Sequence, residues 1–286
     1  MRVGVAVIDT GIFRHRDFGD RIVAFADFVN GRLQPYDDSG HGTHVSGIIG
    51  GNGAASRGKY KGVAPDCTII SVKVLDRVGN GRIANVLKGL KWVQKNAERY
   101  NIKVLNISFG TTPENMLEEE SSLIQAVEKL WDMGIVVVAA AGNSGPERSS
   151  ITAPGISRKI ITVGAFDDSA YNGNRNGRLK YFSGRGPTRE CIVKPELVVT
   201  GSNIVACSNK KNMYSLKSGT SMSAPIVSGA IAKLLAQQPD LTPKQVKIRT
   251  RNCCQKIGIP SNQQGWGMLN IPKFLSNQLM NEMPEQ

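Results

Sequence analysis

No stretch of this 286-residue sequence approaches the roughly twenty consecutive apolar residues that a membrane-spanning helix needs. The opening run, MRVGVAVIDTG, is too short for a secretory leader, and Asp9 interrupts it. No C-x-x-C pair is present to hold zinc. The five cysteines, Cys67, Cys191, Cys207, Cys253 and Cys254, are odd in number and irregular in spacing, which argues against a disulfide framework. A reducing, cytoplasmic setting is therefore expected. Internal repeats, low-complexity tracts and linker-like segments are also lacking, so residues 1–286 read as one domain, with 272–286 a loosely ordered tail. Acidic residues are few: 23 Asp+Glu stand against 36 Lys+Arg, a net charge of +13. Such a balance suits nucleic acid, an anionic surface or acidic substrates. Here the cations are scattered in short groups such as Arg14, Arg16 and Arg21, or Lys210 and Lys211, with no basic run or aromatic–basic motif. A solvated basic surface is expected, and neither nucleic acid nor membrane is an expected partner.

What is present is an alternation of short apolar, β-branched runs with helical patterns. Residues 3–8, 67–74, 103–107 and 134–140 are nearly continuous apolar runs, as in strands buried on both faces of a parallel sheet. Between them, residues 83–99 carry Val86, Leu87, Leu90 and Val93 on one helical face, and residues 115–133 carry Leu123, Ile124, Val127 and Leu130. Shorter strands are expected at 160–163 and 196–199, and a hairpin between 204–207 and 213–216. A long helix is expected over 220–237, and another near Leu241 with Thr242 as N-cap and Pro243 in the first turn. The order predicts an α/β fold, a doubly wound, mainly parallel β-sheet flanked by helices.

Four segments carry candidate chemistry. Asp9 ends the first strand, where open parallel sheets collect ligands, although an aspartate there also serves as a turn residue. The stretch DDSGHGTHVSG, residues 37–47, holds two of the three histidines; their spacing suits a metal pair, a proton-transfer site or simple packing. AAAGNSG, residues 139–145, ends a buried strand and offers the Asn143 amide, in what is also ordinary turn chemistry. In SGTSMSAP, residues 218–225, small residues lead into an apolar helix. A serine in its first turn meets unpaired backbone N–H groups and the positive end of the helix dipole. Helix capping by Ser218 or Ser221 is the plainer alternative.

Taken together, D-T-G, G-H-G-T-H-V-S-G, A-A-G-N-S-G and G-T-S-M-S-A-P resemble the motifs of the subtilisin-like serine peptidases, in that family's order of Asp, His, Ser. The resemblance runs from Val3 to the GWGMLN segment at 265–270, and is closest in character to intracellular bacterial members. It implies the subtilisin-like three-layer fold and a serine endopeptidase working through an acyl-enzyme. Ser221 is then the nucleophile and His41 the general base and acid, with one ring nitrogen on Asp9 and the other on Ser221. The Ser221 N–H and the Asn143 side chain form the oxyanion hole. The substrate lies as an extended strand between residues 78–81, with Gly79 and Gly81, and residues 108–110. Ser108, Phe109 and Gly110 wall the first pocket together with residues 139–142, including Ala140 and Gly142, and Thr152 stands near its base. Leu75, Ile83, Val86 and Phe109 form a deeper apolar pocket. Apolar or moderately large side chains before the cut follow from this lining. Met222 matches the family's oxidation-sensitive methionine, and His44 becomes a buried supporting residue, so no catalytic metal is implied.

The sequence also departs from the family. Most relatives carry an N-terminal pro-segment and a mature segment ahead of the first strand, where this sequence begins, so an inhibitor or pro-segment is a candidate partner. The loop matching their calcium site, residues 50–61, offers one Asn, no carboxylate and three basic residues besides Tyr60, whereas calcium takes six or more oxygens. No cofactor is expected for the chemistry, and a structural calcium only in reworked form. Asp37 and Asp38 read as an exposed acidic turn, with contact to a cation the alternative, and Thr200 stands where proline is usual. A catalytically silent scaffold and a basic nucleic-acid-associated protein are the competing functions. Active-site labelling distinguishes the first, and salt-dependent binding to DNA or RNA the second. No motif speaks to oligomeric state.

Overall fold

The computed structural model describes residues 2–111, 117–167 and 181–276. Its frame is a nine-stranded sheet in the order β10-β11-β7-β6-β5-β4-β1-β3-β2. β1 (Gly4–Asp9) is buried along its whole length and lies between β3 (Thr68–Lys73) and β4 (Ile102–Ile107), parallel to both. β5 (Val136–Ala140), β6 (Ile161–Ala165) and β7 (Leu197–Val199) continue the parallel ladder on the β4 side. β2 (Ile22–Asp27) closes the β3 edge. A separate antiparallel hairpin joins β8 (Ile204–Cys207) to β9 (Tyr214–Lys217). The last strands, β10 (Cys254–Gln255) and β11 (Met268–Leu269), add an antiparallel pair at the β7 edge. The fold class read from the sequence is the one observed.

Helices cover both faces. α1 (His41–Gly50) packs on α4 (Thr220–Gln237), which also lies across β4, β5 and β6, whereas α2 (Ile83–Asn96) packs on α3 (Leu117–Asp132). α4 is apolar on nearly every side and correspondingly buried. Pro225 removes the amide that would bond the Ser221 carbonyl, so the first turn of α4 is held by tertiary contacts. α5 (Pro243–Asn252) starts at a reciprocal cap of Thr242 and Gln245. α6 (Ser261–Gln264) follows, and α7 (Ile271–Leu275) buries Phe274 completely, its carbonyl accepting from Arg249 Nε at 2.8 Å. The tail expected from 272 therefore starts no earlier than Ser276, and residues 277–286 lie outside the described residues. Among the described residues, no helix is long and apolar enough to cross a membrane.

This topology creates one special place. The chain winds from β1 to β3 on one side and to β4 on the other, so the strand order reverses around β1. The carboxyl ends of β1, β4 and β5 open there, which is where open α/β sheets bind ligands.

Candidate active site

Asp9 is the last residue of β1 and is 1% exposed. Its Oδ1 accepts from the Thr10 amide at 2.7 Å and meets His41 Nδ1 at 2.8 Å; Oδ2 lies 3.0 Å from the same nitrogen. His41 opens α1, just after Gly40 in the left-handed conformation. Close approach sets the pair: a Cβ on Gly42 would collide with the Gly11 carbonyl oxygen and stand 3.1 Å from the Asp9 Cβ. The G-H-G triplet thus lets the helix sit directly on the turn after β1. Burial opposes charging of His41, but the Asp9 charge and hydrogen bond outweigh it and hold the imidazole above the ordinary histidine value.

Asp37 fastens this arrangement, and here the sequence expectation of an exposed acidic turn is corrected. Asp37 is 6% exposed. Its Oδ1 accepts from Thr10 Oγ1 at 2.9 Å and from the Ser39 and Gly40 amides at 3.1 and 2.8 Å; Oδ2 accepts from the Thr43 amide at 2.9 Å and Thr43 Oγ1 at 2.6 Å. One carboxylate therefore supplies acceptors to the start of α1 and ties it to the residue that binds Asp9. Asp38 is partly exposed, and its cation is Lys73: the buried ammonium reaches Asp38 Oδ1 at 2.8 Å, the Thr10 carbonyl at 2.6 Å and the Leu75 carbonyl at 2.9 Å. Lys73 was not singled out from sequence; its mark is a lone lysine ending an otherwise apolar strand.

Ser221 is the second residue of α4, so its amide has no acceptor within the helix. Its hydroxyl donates to the Ser108 carbonyl at 2.7 Å rather than to His41. The expected Ser221–His41 hydrogen bond is thus not formed in this structure, where the Ser108 carbonyl takes the hydroxyl. Asn143 follows β5, and its Oδ1 accepts from the Thr220 amide at 2.9 Å and from Thr220 Oγ1 at 3.0 Å. This fixes the amide orientation and leaves the NH₂ group without a protein partner among the described residues. Gly219, at φ +148°, adopts a backbone conformation that side chains disfavour, and a Cβ there would press on Asn143 Nδ2 at 3.1 Å. Thr220, which aims the amide, escaped the sequence reading although it lies within the G-T-S motif.

The remaining sequence-selected residues fall around the same edge. Ser108, Phe109 and Gly110 follow β4, and an isolated antiparallel bridge links Thr111 to Ala153. Thr152 stands between Gly110 and Gly142; a Cβ on either would run into its Oγ1, which is itself a buried atom without a hydrogen-bond partner. Ala140 ends β5 and is buried. Gly79 and Gly81 lie in a tight turn in which Asp76 Oδ1 accepts the Val78 and Asn80 amides. Leu75 and Val86 are buried in the core, while Ile83 and Phe109 are half-buried and pack against it. Met222 is also buried.

His44 turns away from this cleft. Its Nε2 lies 3.1 and 3.0 Å from the Ile204 and Ser215 carbonyls, which makes that nitrogen the donor, and Nδ1 is buried without a partner. Burial pushes its pKa down to about 4. In loop 50–61, Asn52 Oδ1 accepts the Ala54 amide and Asp17 Oδ1 the Ala55 amide. Thr200 donates to Asp167 at 2.5 Å.

A buried carboxylate, an imidazole fixed by it, a helix-N-terminal serine and an oriented amide meet at the carboxyl edge of a doubly wound sheet, the kinds of group that serine hydrolases bring together. Residues 2–267 match the model of the subtilase family, and the chain belongs to that family. It is 42% identical over 271 residues to the serine protease AprX of Bacillus subtilis (strain 168), covering 89% of this chain and 61% of AprX. Subtilisin DY of Bacillus licheniformis is 35% identical over 272 residues, covering 94% of this chain and 89% of that protein. Among solved structures, a cold-adapted subtilisin-like serine proteinase superposes with a TM-score of 0.74 at 31% identity, covering 94% of this chain and 86% of that one. The chain thus spans less than two thirds of the length of AprX and most of the length of subtilisin DY.

Proposed function

We propose that this chain is a serine endopeptidase in which Ser221 attacks the scissile carbonyl carbon while its proton passes to His41 Nε2. The observation that carries the reading is the Asp9–His41 contact at 2.8 Å, which commits Nδ1 and leaves Nε2 as the base. Asp9 keeps that tautomer and stabilises the imidazolium. Negative charge on the tetrahedral oxygen is met by the Ser221 amide and the unspent Asn143 NH₂. Collapse breaks the C–N bond, and the leaving amine takes the proton from His41. Water then hydrolyses the acyl ester by the same route in reverse order. The substrate runs as an extended strand between residues 78–81 and 108–110. The side chain before the cut enters the slot between residues 108–110 and 140–142, with Thr152 at its base. The apolar rim of Ile83 and Phe109 favours apolar or moderately large groups. A reducing compartment suits the chain, since all five cysteines are free thiols.

Cleavage-site profiling on a proteome-derived peptide library tests this directly, with Ser221→Ala as control. Internal cuts after apolar residues, absent in the variant, are expected. Full cleavage by a folded Ser221→Ala protein rejects the proposal, and terminal-only cuts reject the endopeptidase assignment.

A further inference from the structure

Beneath the β8–β9 hairpin, three side chains that peptide hydrolysis does not use point at one another. His15, Asp17 and Cys207 are 2%, 0% and 1% exposed. His15 Nδ1 stands 3.6 Å from Asp17 Oδ1, and Cys207 Sγ stands 3.5 Å from Asp17 Oδ2. One ligand atom from each residue lies within 4.8 Å of the others. An ion with bonds of about 2.3 Å to sulfur and about 2.0 Å to nitrogen and oxygen holds tetrahedral ligands about 3.3 Å (N···O) and about 3.5 Å (S···O) apart. Two ligand–ligand distances are therefore already near tetrahedral length. The carboxylate lies between the other two groups and can close the set through either oxygen or both.

The surroundings supply what metal ligands need. His15 Nε2 donates to the Met213 carbonyl at 3.1 Å, which fixes the tautomer and leaves the lone pair on Nδ1. The Asp17 carboxylate is held in turn by the Ala55 amide and the Tyr214 hydroxyl, both at 2.8 Å. The contacts an ion would replace are long ones: the Asp17 amide to His15 Nδ1 at 3.2 Å, and the thiol to the carboxylate at 3.5 Å.

We propose that His15, Asp17 and Cys207 bind one thiophilic divalent cation of the zinc–cadmium class. As the metal–sulfur bond forms, the Cys207 S–H bond breaks and its proton leaves to solvent. Thiolate and carboxylate then neutralise the dication, so no net charge is buried. Calcium is a poor match, because a thiol and an imidazole take the places of the oxygens it requires. Cys207 ends β8 while His15 and Asp17 lie at the helical turn 16–18, so the ion would tie the hairpin leading to Ser221 to that turn.

The test uses the full chain with Ser221→Ala to stop self-cleavage, and with Cys191→Ser and Cys254→Ser to remove the more accessible thiols. Cadmium chloride alone is titrated and followed by the thiolate-to-cadmium charge-transfer absorption, then displaced with zinc. Saturation at one ion per chain is expected, with a higher Tm in zinc. His15→Gln should weaken binding at least about tenfold, and Cys207→Ala should abolish the band. Should Cys207→Ala not fold, zinc X-ray absorption on the parent protein must show one sulfur and one imidazole neighbour. Absence of a saturable band at millimolar cadmium, a band persisting in folded Cys207→Ala, or a zinc spectrum without sulfur overturns the site.

Discussion

The two edges of the sheet both bury charge, and they use it in opposite ways. At the carboxyl edge, hydrogen-bonding capacity is left over: His41 spends Nδ1 on Asp9 and keeps Nε2, and Asn143 spends its oxygen on Thr220 and keeps its NH₂. At the amino edge the described charges are spent on one another and on carbonyls. The fully buried Lys194 reaches both Glu196 oxygens at 2.7 Å and Thr162 Oγ1 at 3.1 Å. Lys247 binds three consecutive carbonyls, those of Arg158, Lys159 and Ile160, together with Glu196. Burial still pushes Lys194 down to about 8 against the pull of Glu196. A perturbed, buried charge is thus no sign of chemistry by itself; unspent valence beside a cleft is.

Substitutions at the two edges should separate accordingly. The largest effect is expected for Asp9→Asn, which should lower kcat about 10⁴-fold by favouring the wrong histidine tautomer. Wild-type kcat/KM should rise with pH through a pKa above 6.5, since only neutral His41 accepts the proton and Asp9 raises its value. In Asp9→Asn that inflection should move down. Lys194→Met should act on stability instead, costing about 3–5 kcal/mol in denaturant unfolding because Glu196 loses a buried partner, while kcat at a permissive temperature stays near wild type. Equal loss of kcat in both variants would erase the distinction drawn here. Asn143→Ala should reduce kcat by about 10²–10³-fold with little change in KM, the size known for the equivalent donor in subtilisin itself. The smallest effect concerns His44, whose folded value near 4 lies below its unfolded value. Its stabilisation is complete above about pH 6.5 and is lost as pH falls toward 4, about 2 kcal/mol by pH 5. His44→Gln should flatten that part of the stability–pH curve.

Sequence patterns disclosed some parts of the molecule to the residue and hid others. α4 and the Thr242 cap of α5 appear where expected, because a small-residue turn and a Thr-Pro pair leave little freedom in where a helix begins. β2 was not anticipated: it is an edge strand of intermediate burial, without the continuous apolar run of its neighbours. Asp9, His41, Asn143 and Ser221, the residues proposed for the chemistry, stand out through motifs, since each sits on an element boundary that the motif itself builds. The Ser221–Ser108 bond was not, because its acceptor is a main-chain carbonyl and any residue at 108 supplies one. Asp37 was misread for a related reason. Two adjacent aspartates look solvated, and only the folded chain brings five donors to one of them.

The central claim is that Ser221 is a nucleophile served by His41. Intact-mass and peptide mass spectrometry after treatment with a fluorophosphonate measures it most directly. A single adduct on Ser221 is expected, formed with loss of peptidase activity, greatly slowed in His41→Ala and absent in Ser221→Ala. A folded, unblocked wild-type protein that takes no label, or takes it at another residue, would contradict it.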